Sequence, residues 1–242
     1  MNIICDTHTH TISSGHAHST VLENAAEAAR MGHKFLVISD HAPMIPGAPT
    51  ELYFRALKNV LPEQALGVYL IHGCEVNILD GDGALDLSAE ILDKLDLVIA
   101  SMHTPTFPSS DVETHTRAWL AVAKNPSVDI IGHAGDQRFS FDHEPVVRAF
   151  KEHGKVVEIN AHSFKVRKGS DANCRAIARL LKRYEVPVVV STDAHFAPLI
   201  GKVEASLEVL RDVDFPEELV LNADARRFAR WVSGKSGRFF DL

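Results

Sequence analysis

The sequence predicts an α/β fold in which seven parallel strands alternate with helices and close into a TIM-like (β/α)7 barrel. Three observations support this prediction. Seven short apolar segments are separated by stretches with helical periodicity, which is typical of parallel sheets built from right-handed crossovers. Most of these segments end in histidine, aspartate or glutamate. The pair His8 and His10 follows the first segment and the pair Asp193 and His195 follows the last, so barrel closure would bring the four residues together.

Composition favours one domain that does not bind nucleic acid. With 242 residues, 45% of them hydrophobic, the chain can bury one large core, and we expect a single domain over residues 1–242. A net charge of −7 argues against a surface that neutralises nucleic-acid phosphates. No apolar run has membrane-spanning length and no signal-peptide pattern is present, so we expect a cytoplasmic protein. The cysteines Cys5, Cys74 and Cys174 lie far apart, which favours reduced thiols.

The first strand carries the first two candidate ligands. In an extended segment, residues i and i+2 project from the same face, so His8 and His10, at the end of the segment 3–10, can reach one metal ion. The polar loop that follows contains His16 and His18. Either imidazole could reach the same region, and His16 is the predicted ligand.

The second and third strands also end in candidate ligands. The segment 35–41 closes on His41. The segment 68–77 carries Glu75 near its end, where a bare carboxylate is costly to bury unless a cation pairs with it. Neighbouring residues on a strand face opposite ways, so Cys74 is expected to point away from Glu75 and to pack in the core.

Four further strands complete the pattern. The fourth and fifth, at 95–103 and 128–133, end in His103 and His133, and the sixth and seventh are predicted at 156–160 and 188–195. The chain then provides candidate ligands at both of its ends and in its middle. Helices are predicted near residues 21–31, 50–60, 112–124, 145–153, 171–184, 203–211 and 223–232.

Nine candidate ligands therefore converge on the carboxyl ends of the strands. Without cations such a cluster would be destabilised by desolvation and mutual repulsion, so the sequence predicts a metal site. The ligands outnumber a single tetrahedral site and suit two or three divalent ions. Imidazole and carboxylate favour zinc, manganese or iron, and zinc is the expected ion. The candidate ligands are His8, His10, His16, His41, Glu75, His103, His133, Asp193 and His195.

These motifs, taken in order, resemble those of the PHP (polymerase and histidinol phosphatase) family. They are His8-Thr9-His10, the loop His16, Ser39-Asp40-His41, Gly73-Cys74-Glu75, His103, Gly132-His133 and Thr192-Asp193-Ala194-His195. The resemblance covers nearly the whole chain and is strongest to small stand-alone bacterial phosphoesterases. It implies a distorted seven-stranded barrel with a trinuclear metal centre.

By the same resemblance each ligand is assigned to an ion. His8, His10, Glu75 and Asp193 would bind the first, Glu75 would bridge to a second held by His103 and His133, and the third would be held by His16, His41 and His195. Glu75, Asp193 and His195 are the residues to which catalysis is assigned. The expected reaction is attack of a metal-bridging hydroxide on a small phosphomonoester, with histidinol phosphate as one specific substrate.

Three cations in the loops after strands five and six are candidate substrate contacts. Arg138, Arg167 and Lys168 could offset the charge of the phosphate. Each could equally be a solvated surface residue. His162 also follows strand six on the functional face.

Two other functions compete with a phosphatase. Barrel amidohydrolases also use His-x-His after the first strand, although Glu75 stands where that group commonly has a lysine. A non-catalytic metal-binding regulatory module is the other alternative. The acidic surface makes a role on DNA less favoured, and a homo-oligomer is compatible with the family resemblance.

Overall fold

Seven parallel strands form the centre of the molecule. The computed structural model describes residues 1–242, and the strands run in the order β1-β2-β4-β5-β6-β7-β8, with the short β3 antiparallel to β4. The predicted α/β barrel with seven parallel strands is therefore confirmed. The strands are β1 Cys5–Thr9, β2 Phe35–Ile38, β3 Gln64–Ala65, β4 Val68–Asn77, β5 Leu97–Ser101, β6 Ile130–Ile131, β7 Val156–Asn160 and β8 Val188–Ser191.

Helices cover the outside of this sheet. The first begins at a capping box, in which the Thr20 side chain accepts the backbone N–H of Glu23 at 3.3 Å and the Glu23 carboxylate accepts the N–H of Thr20 at 2.7 Å. No helix is long and apolar enough to span a membrane. The helices are α1 Val21–Arg30, α2 Glu51–Val60, α3 Ala89–Leu92, α4 Val112–Lys124, α5 His143–Glu152, α6 Ser163–Val166, α7 Ser170–Arg183, α8 Glu204–Asp212 and α9 Ala225–Ser236.

Three short elements were not predicted. The strand β3 has two residues, and α3 and α6 have four residues each. Segments of this length carry too few positions to show a hydrophobic period. The helix α6 lies directly before Arg167 and Lys168, in the stretch after strand six that was predicted to be a loop. The last helix also continues to Ser236, beyond the predicted end at residue 232.

The amino end of the barrel is filled with apolar side chains. Cys5, Phe35 and Val156 are buried inside it, together with Phe228 of α9. The ring of Phe228 lies 5.1 Å from that of Phe35, so α9 closes this end of the barrel. Space for a polar site is therefore left at the carboxyl end.

The barrel closes between β1 and β8. At the carboxyl end the closure is direct, since the backbone N–H of His10 donates to the Ala194 carbonyl at 2.9 Å and that of Ala194 to the His8 carbonyl at 3.2 Å. Closure thus brings the first and last pairs of candidate ligands together.

The side chain of Asn222 joins β1 and β8 closer to the amino end. It is fully buried, and its amide donates to the carbonyls of Cys5 at 2.9 Å and Val190 at 2.6 Å. Its Oδ1 accepts the N–H of Val190 at 3.0 Å. One side chain therefore provides hydrogen-bond partners for three backbone groups of β1 and β8.

We expect Asn222→Leu to destabilise the fold strongly. Leucine has a similar size but leaves three buried backbone groups without partners, at about 1–3 kcal/mol each. A loss of about 3 kcal/mol corresponds to a fall in Tm of roughly 6–12 °C for a domain of this length. Thermal unfolding monitored by circular dichroism measures it. Asn125→Leu, at a half-buried residue whose side chain accepts one bond, from the Ser127 N–H, is the control and should cost clearly less. Equal Tm values for the two variants would contradict this role of Asn222.

Candidate metal centre

Strand alternation explains why acidic side chains face the interior at the carboxyl end. On β7, Val156 packs in the apolar interior and Glu158, two residues later, faces the same way. On β8, Val189 faces inward, and Asp193, just beyond the strand, lies in the site. On each of these two strands, the inward-facing side chains are thus apolar at the beginning and acidic at or just beyond the end.

The carboxylate of Glu75 is the centre of the site. It is fully buried, and five imidazoles surround it. These imidazoles come from four different segments of the chain, since His8 and His10 both lie at the end of β1. Oε1 is 2.9 Å from His133 Nε2 and 3.3 Å from His103 Nε2, and Oε2 is 2.7 Å from His41 Nδ1, 3.3 Å from His8 Nε2 and 3.6 Å from His10 Nε2.

Asp193 is the second buried carboxylate of the site. Its Oδ1 lies 3.1 Å from His10 Nε2 and 3.6 Å from His8 Nε2. Its Oδ2 accepts a bond from the Arg167 guanidinium at 3.1 Å. The backbone of Asp193 has a φ of 52°, a left-handed conformation that is uncommon for a residue with a side chain. Such a conformation is maintained only where surrounding contacts hold it.

Two further histidines, His16 and His195, lie at the outer edge of the site. The Nε2 atoms of His16 and His195 are 3.0 Å apart, and the ring of His16 is 5.0 Å from that of His41. His18 donates only its backbone N–H to the His195 carbonyl, at 2.8 Å, and its imidazole makes no contact with the cluster. Of the two loop histidines, the structure therefore brings His16 to the predicted ligands.

Burial and charge set the protonation of the site. Burial alone would raise the pKa of Glu75, but the surrounding imidazoles, with His8 first, hold it well below its usual range. Burial would likewise raise the pKa of Asp193, but His8, His10 and Arg167 together hold it well below its usual range. Burial and neighbouring imidazoles lower the pKa of His10. Ionised carboxylates and neutral imidazoles are the forms that bind metal.

His8 differs from the other imidazoles. Its complete burial works to lower its pKa, but three carboxylates, with Glu158 first, raise the pKa well above the usual value. In the ion-free protein a proton on His8 therefore offsets part of the negative charge. A cation bound between the same carboxylates would take over that role.

The residues present fit divalent metal ions. Three buried polar atoms, His8 Nε2, His41 Nδ1 and Glu75 Oε2, have no hydrogen-bond partner of acceptable geometry. Three triplets have ligand atoms within 4.8 Å of one another: His8 with His10 and Glu75, His41 with Glu75 and His103, and His10 with His41 and His195. Nitrogen and carboxylate oxygen are the donors that zinc prefers.

Most of these imidazoles are anchored through their other nitrogen, which leaves Nε2 for a metal. His8 Nδ1 is 2.7 Å from Glu158 Oε1, and His103 Nδ1 is 2.7 Å from Asn77 Oδ1. Glu158 was not among the site residues predicted from the sequence. The signal was available, since Glu158 is an acid within the apolar strand 156–160, the same pattern that drew attention to Glu75.

A cavity of about 370 Å³ opens above the cluster. It is lined by five of the predicted ligands together with His162, Val166 and Arg167. Among the predicted substrate contacts, Arg167 lies in this cavity. Arg138 and Lys168 do not line it: the Arg138 guanidinium is bonded to Asp136 at 2.6 Å, and Lys168 is exposed. Of the three predicted substrate contacts, only Arg167 therefore lies at the cavity.

Sequence comparison identifies the family. The model of the PHP domain matches residues 6–162, which is more than half of the chain. The chain belongs to the PHP family. A protein named probable phosphatase from Thermoanaerobacter sp. (strain X514) is 47% identical over 237 residues, which are 97% of this chain and 96% of that protein. Another from Acetivibrio thermocellus is 44% identical over 238 residues, 98% of each. The predicted family is confirmed.

Solved structures of PHP proteins share the barrel. The histidinol phosphate phosphatase of Lactococcus lactis, crystallised with zinc, L-histidinol and phosphate, superimposes with a TM-score of 0.64 at 18% identity. The match covers 88% of this chain and 94% of that one. At this identity the likeness establishes the fold of the PHP chain and leaves its substrate open.

Proposed function

We propose that this PHP protein is a metal-dependent phosphatase that hydrolyses small phosphomonoesters at a site for three divalent ions. The observation that carries the proposal is the cluster of nine candidate ligand side chains at the carboxyl end of the barrel, five of which line the cavity. The full-length relatives named probable phosphatase support the reaction class. Zinc is the ion we expect, because the donors are imidazole nitrogens and carboxylate oxygens.

Distances support an assignment of the ligands to three ions. His8, His10, Glu75 and Asp193 would hold the first ion, and Glu75 with His103 and His133 the second. His16, His41 and His195 would hold the third. His41 also lies 2.7 Å from Glu75, so it borders both the third position and the first two. Bound ions of this kind supply a nucleophile from water at neutral pH and neutralise charge on phosphoryl oxygens.

The chain's own groups prepare this site for an anionic substrate. Glu75 and Asp193 remain ionised and hold the imidazoles around them by charge. Arg167 is fixed at the cavity wall, where its guanidinium bonds Asp193 at 3.1 Å and the Ser163 hydroxyl at 3.1 Å. Only 10% of its side chain is exposed, so little rotamer freedom is lost when it meets a phosphate oxygen. We propose Arg167 as the contact that orients the phosphate.

We expect Arg167→Met to lower kcat/KM for a phosphomonoester by roughly 10–100-fold. A hydrogen bond between charged groups contributes about 1.5–3 kcal/mol, which corresponds to that range. Steady-state kinetics at fixed metal concentration measures it. Arg148→Met is the control, since Arg148 lies on the surface beside Glu144. An unchanged kcat/KM in Arg167→Met would show that the phosphate is held elsewhere in the site.

The direct test of function is release of inorganic phosphate from a panel of phosphomonoesters, histidinol phosphate among them. The protein is loaded separately with zinc, manganese and iron. Metal-dependent release supports the phosphatase, and the preferred ester defines the substrate. Turnover of amides or lactones without phosphate release would instead identify an amidohydrolase, and no turnover of a metal-loaded protein would favour a regulatory module.

We also propose a cytoplasmic location for this enzyme. All three cysteines are free and buried, which fits a reducing compartment. Small phosphorylated metabolites would be its substrates there.

A further inference from the structure

Glu158 lies between ligands of two different ions. It is buried, with 3% of its surface exposed. Its Oε1 is bonded to His8 Nδ1 at 2.7 Å, and its Oε2 accepts the backbone N–H of His133, also at 2.7 Å. The hydroxyl of Ser191 donates to Oε1 and the amide of Asn160 to Oε2. Every contact of this carboxylate is thus a bond that it accepts.

The bond to His8 fixes which nitrogen faces the ion position. An ionised carboxylate only accepts hydrogen bonds, so Nδ1 of His8 must carry a proton. In the neutral imidazole the lone pair then belongs to Nε2. That atom points at Glu75 Oε2, 3.3 Å away, and at Asp193 Oδ1, 3.6 Å away. A cation among these three atoms would be bound by all of them.

The bond to His133 holds an unusual backbone conformation. The φ of His133 is 26°, in the region that residues with side chains rarely adopt. Gly132 before it leaves no room for a side chain, because a Cβ there would lie 2.1 Å from Ser101 Oγ. In this conformation His133 Nε2 lies 2.9 Å from Glu75 Oε1. The bond from its N–H to Glu158 keeps that imidazole at the second ion position.

We infer that Glu158 is a positioning residue that holds ligands of two ions at once, His8 for the first and His133 for the second. This inference rests on the ion assignment of the proposed function. The strand β7, which carries Glu158, lies between β6 and β8. The carboxylate can therefore reach His133, which follows β6, on one side and His8, on β1 beyond β8, on the other. One carboxylate therefore sets the spacing between the two ion positions.

The variant Glu158→Gln tests this role. Glutamine keeps the shape of the side chain but replaces one carboxylate oxygen with an NH2 group, which donates hydrogen bonds. If the amide faces His8, the imidazole must accept at Nδ1 and place its proton on Nε2, where the ion would bind. If the amide faces His133, two donors oppose each other. Either orientation breaks one of the two bonds, so we expect the affinity of at least one of the first two ions to fall by roughly 10–100-fold, measured by titrating Zn²⁺ into the metal-free protein and counting sites.

The matched control is Asp96→Asn. Asp96 is also a buried carboxylate, but it lies at the opposite end of the barrel, bonded to the His72 N–H at 3.0 Å and to Arg238 at 2.6 Å. We expect it to lose stability while keeping its metal affinity. Co²⁺ bound in place of zinc provides a second readout, because its visible absorption reports the ligand set. A purely structural role for Glu158 would lower Tm in both variants and leave the Co²⁺ spectrum unchanged, which would overturn the inference.

Other outcomes are equally decisive. Unchanged affinity in Glu158→Gln, or loss at a single ion position in Glu158→Leu, which removes both bonds, would contradict a shared role. If that variant does not fold, Glu158→Asp keeps the charge but shortens the reach by one methylene, and wild-type affinity in it would again contradict the role. A wild-type protein that binds the ions but releases no phosphate would refute the proposed function alone, since the affinity comparison needs no turnover.

Discussion

We expect Glu75→Gln to abolish most of the activity and to remove bound metal. Glu75 contacts five imidazoles, and both of its oxygens face candidate ion positions. Glutamine loses the negative charge, and its amide donates hydrogen bonds to the lone pairs that would otherwise bind the ions. Removing a single group that stabilises developing charge typically costs about 10²–10³ in kcat, and we expect at least this loss for a shared ligand.

Two measurements on the same protein sample check this result. Inorganic phosphate release gives kcat, and elemental analysis gives the number of ions per chain. Glu90→Gln is the control, because Glu90 is exposed and pairs only with Lys94 and Arg55 on the surface. If Glu75→Gln retained both its full complement of ions and its kcat, the placement of Glu75 at the centre of the site would be wrong.

We expect removal of the metal to lower the thermal stability of the wild-type protein by a large amount. An ion that binds only the folded state at 1,000 times its Kd contributes about 4 kcal/mol. For a domain of this size each kcal/mol shifts Tm by about 2–4 °C, so we expect Tm to fall by roughly 8–16 °C for one such ion on treatment with a chelator. Further ions add to the shift. Differential scanning calorimetry with and without the chelator measures it.

Two variants distinguish the stabilisation by bound metal from a general loss of stability. Asn222→Leu should unfold at a lower temperature but keep the full shift between metal-loaded and metal-free protein, because Asn222 lies away from the ion positions. Glu75→Gln should lose most of the shift. An identical Tm for wild-type protein before and after complete metal removal would argue against buried ion sites.

Much of the site followed from local sequence patterns. Glu75 was singled out because an acid within an apolar strand needs a cation, and strand alternation correctly placed Cys74 on the opposite side, in the outer core. The family and the barrel followed from the order of the motifs. The same reasoning applied to residues 156–160 would have found Glu158.

The cations around the site were harder to place from sequence. Arg138, Arg167 and Lys168 all carry a positive charge at neutral pH and lie in neighbouring segments. Only Arg167 lines the cavity, because it directly follows α6 and reaches Asp193, whereas Arg138 folds back on Asp136. A helix of four residues leaves no periodic signal, so the sequence could not distinguish among the three.

The sequence by itself determined which residues could serve as ligands and that they stand at strand ends. The tertiary structure decided which of them meet. The pairing of β1 with β2 shifts register between Asp6 and Thr9, so that Cys5 faces the apolar interior and His8 nevertheless faces the site. Barrel closure brings His8 to Glu158, 150 residues later in the chain. Strand alternation is a local property of the backbone, whereas register and closure depend on contacts between distant segments, and those contacts are made only when the whole core packs.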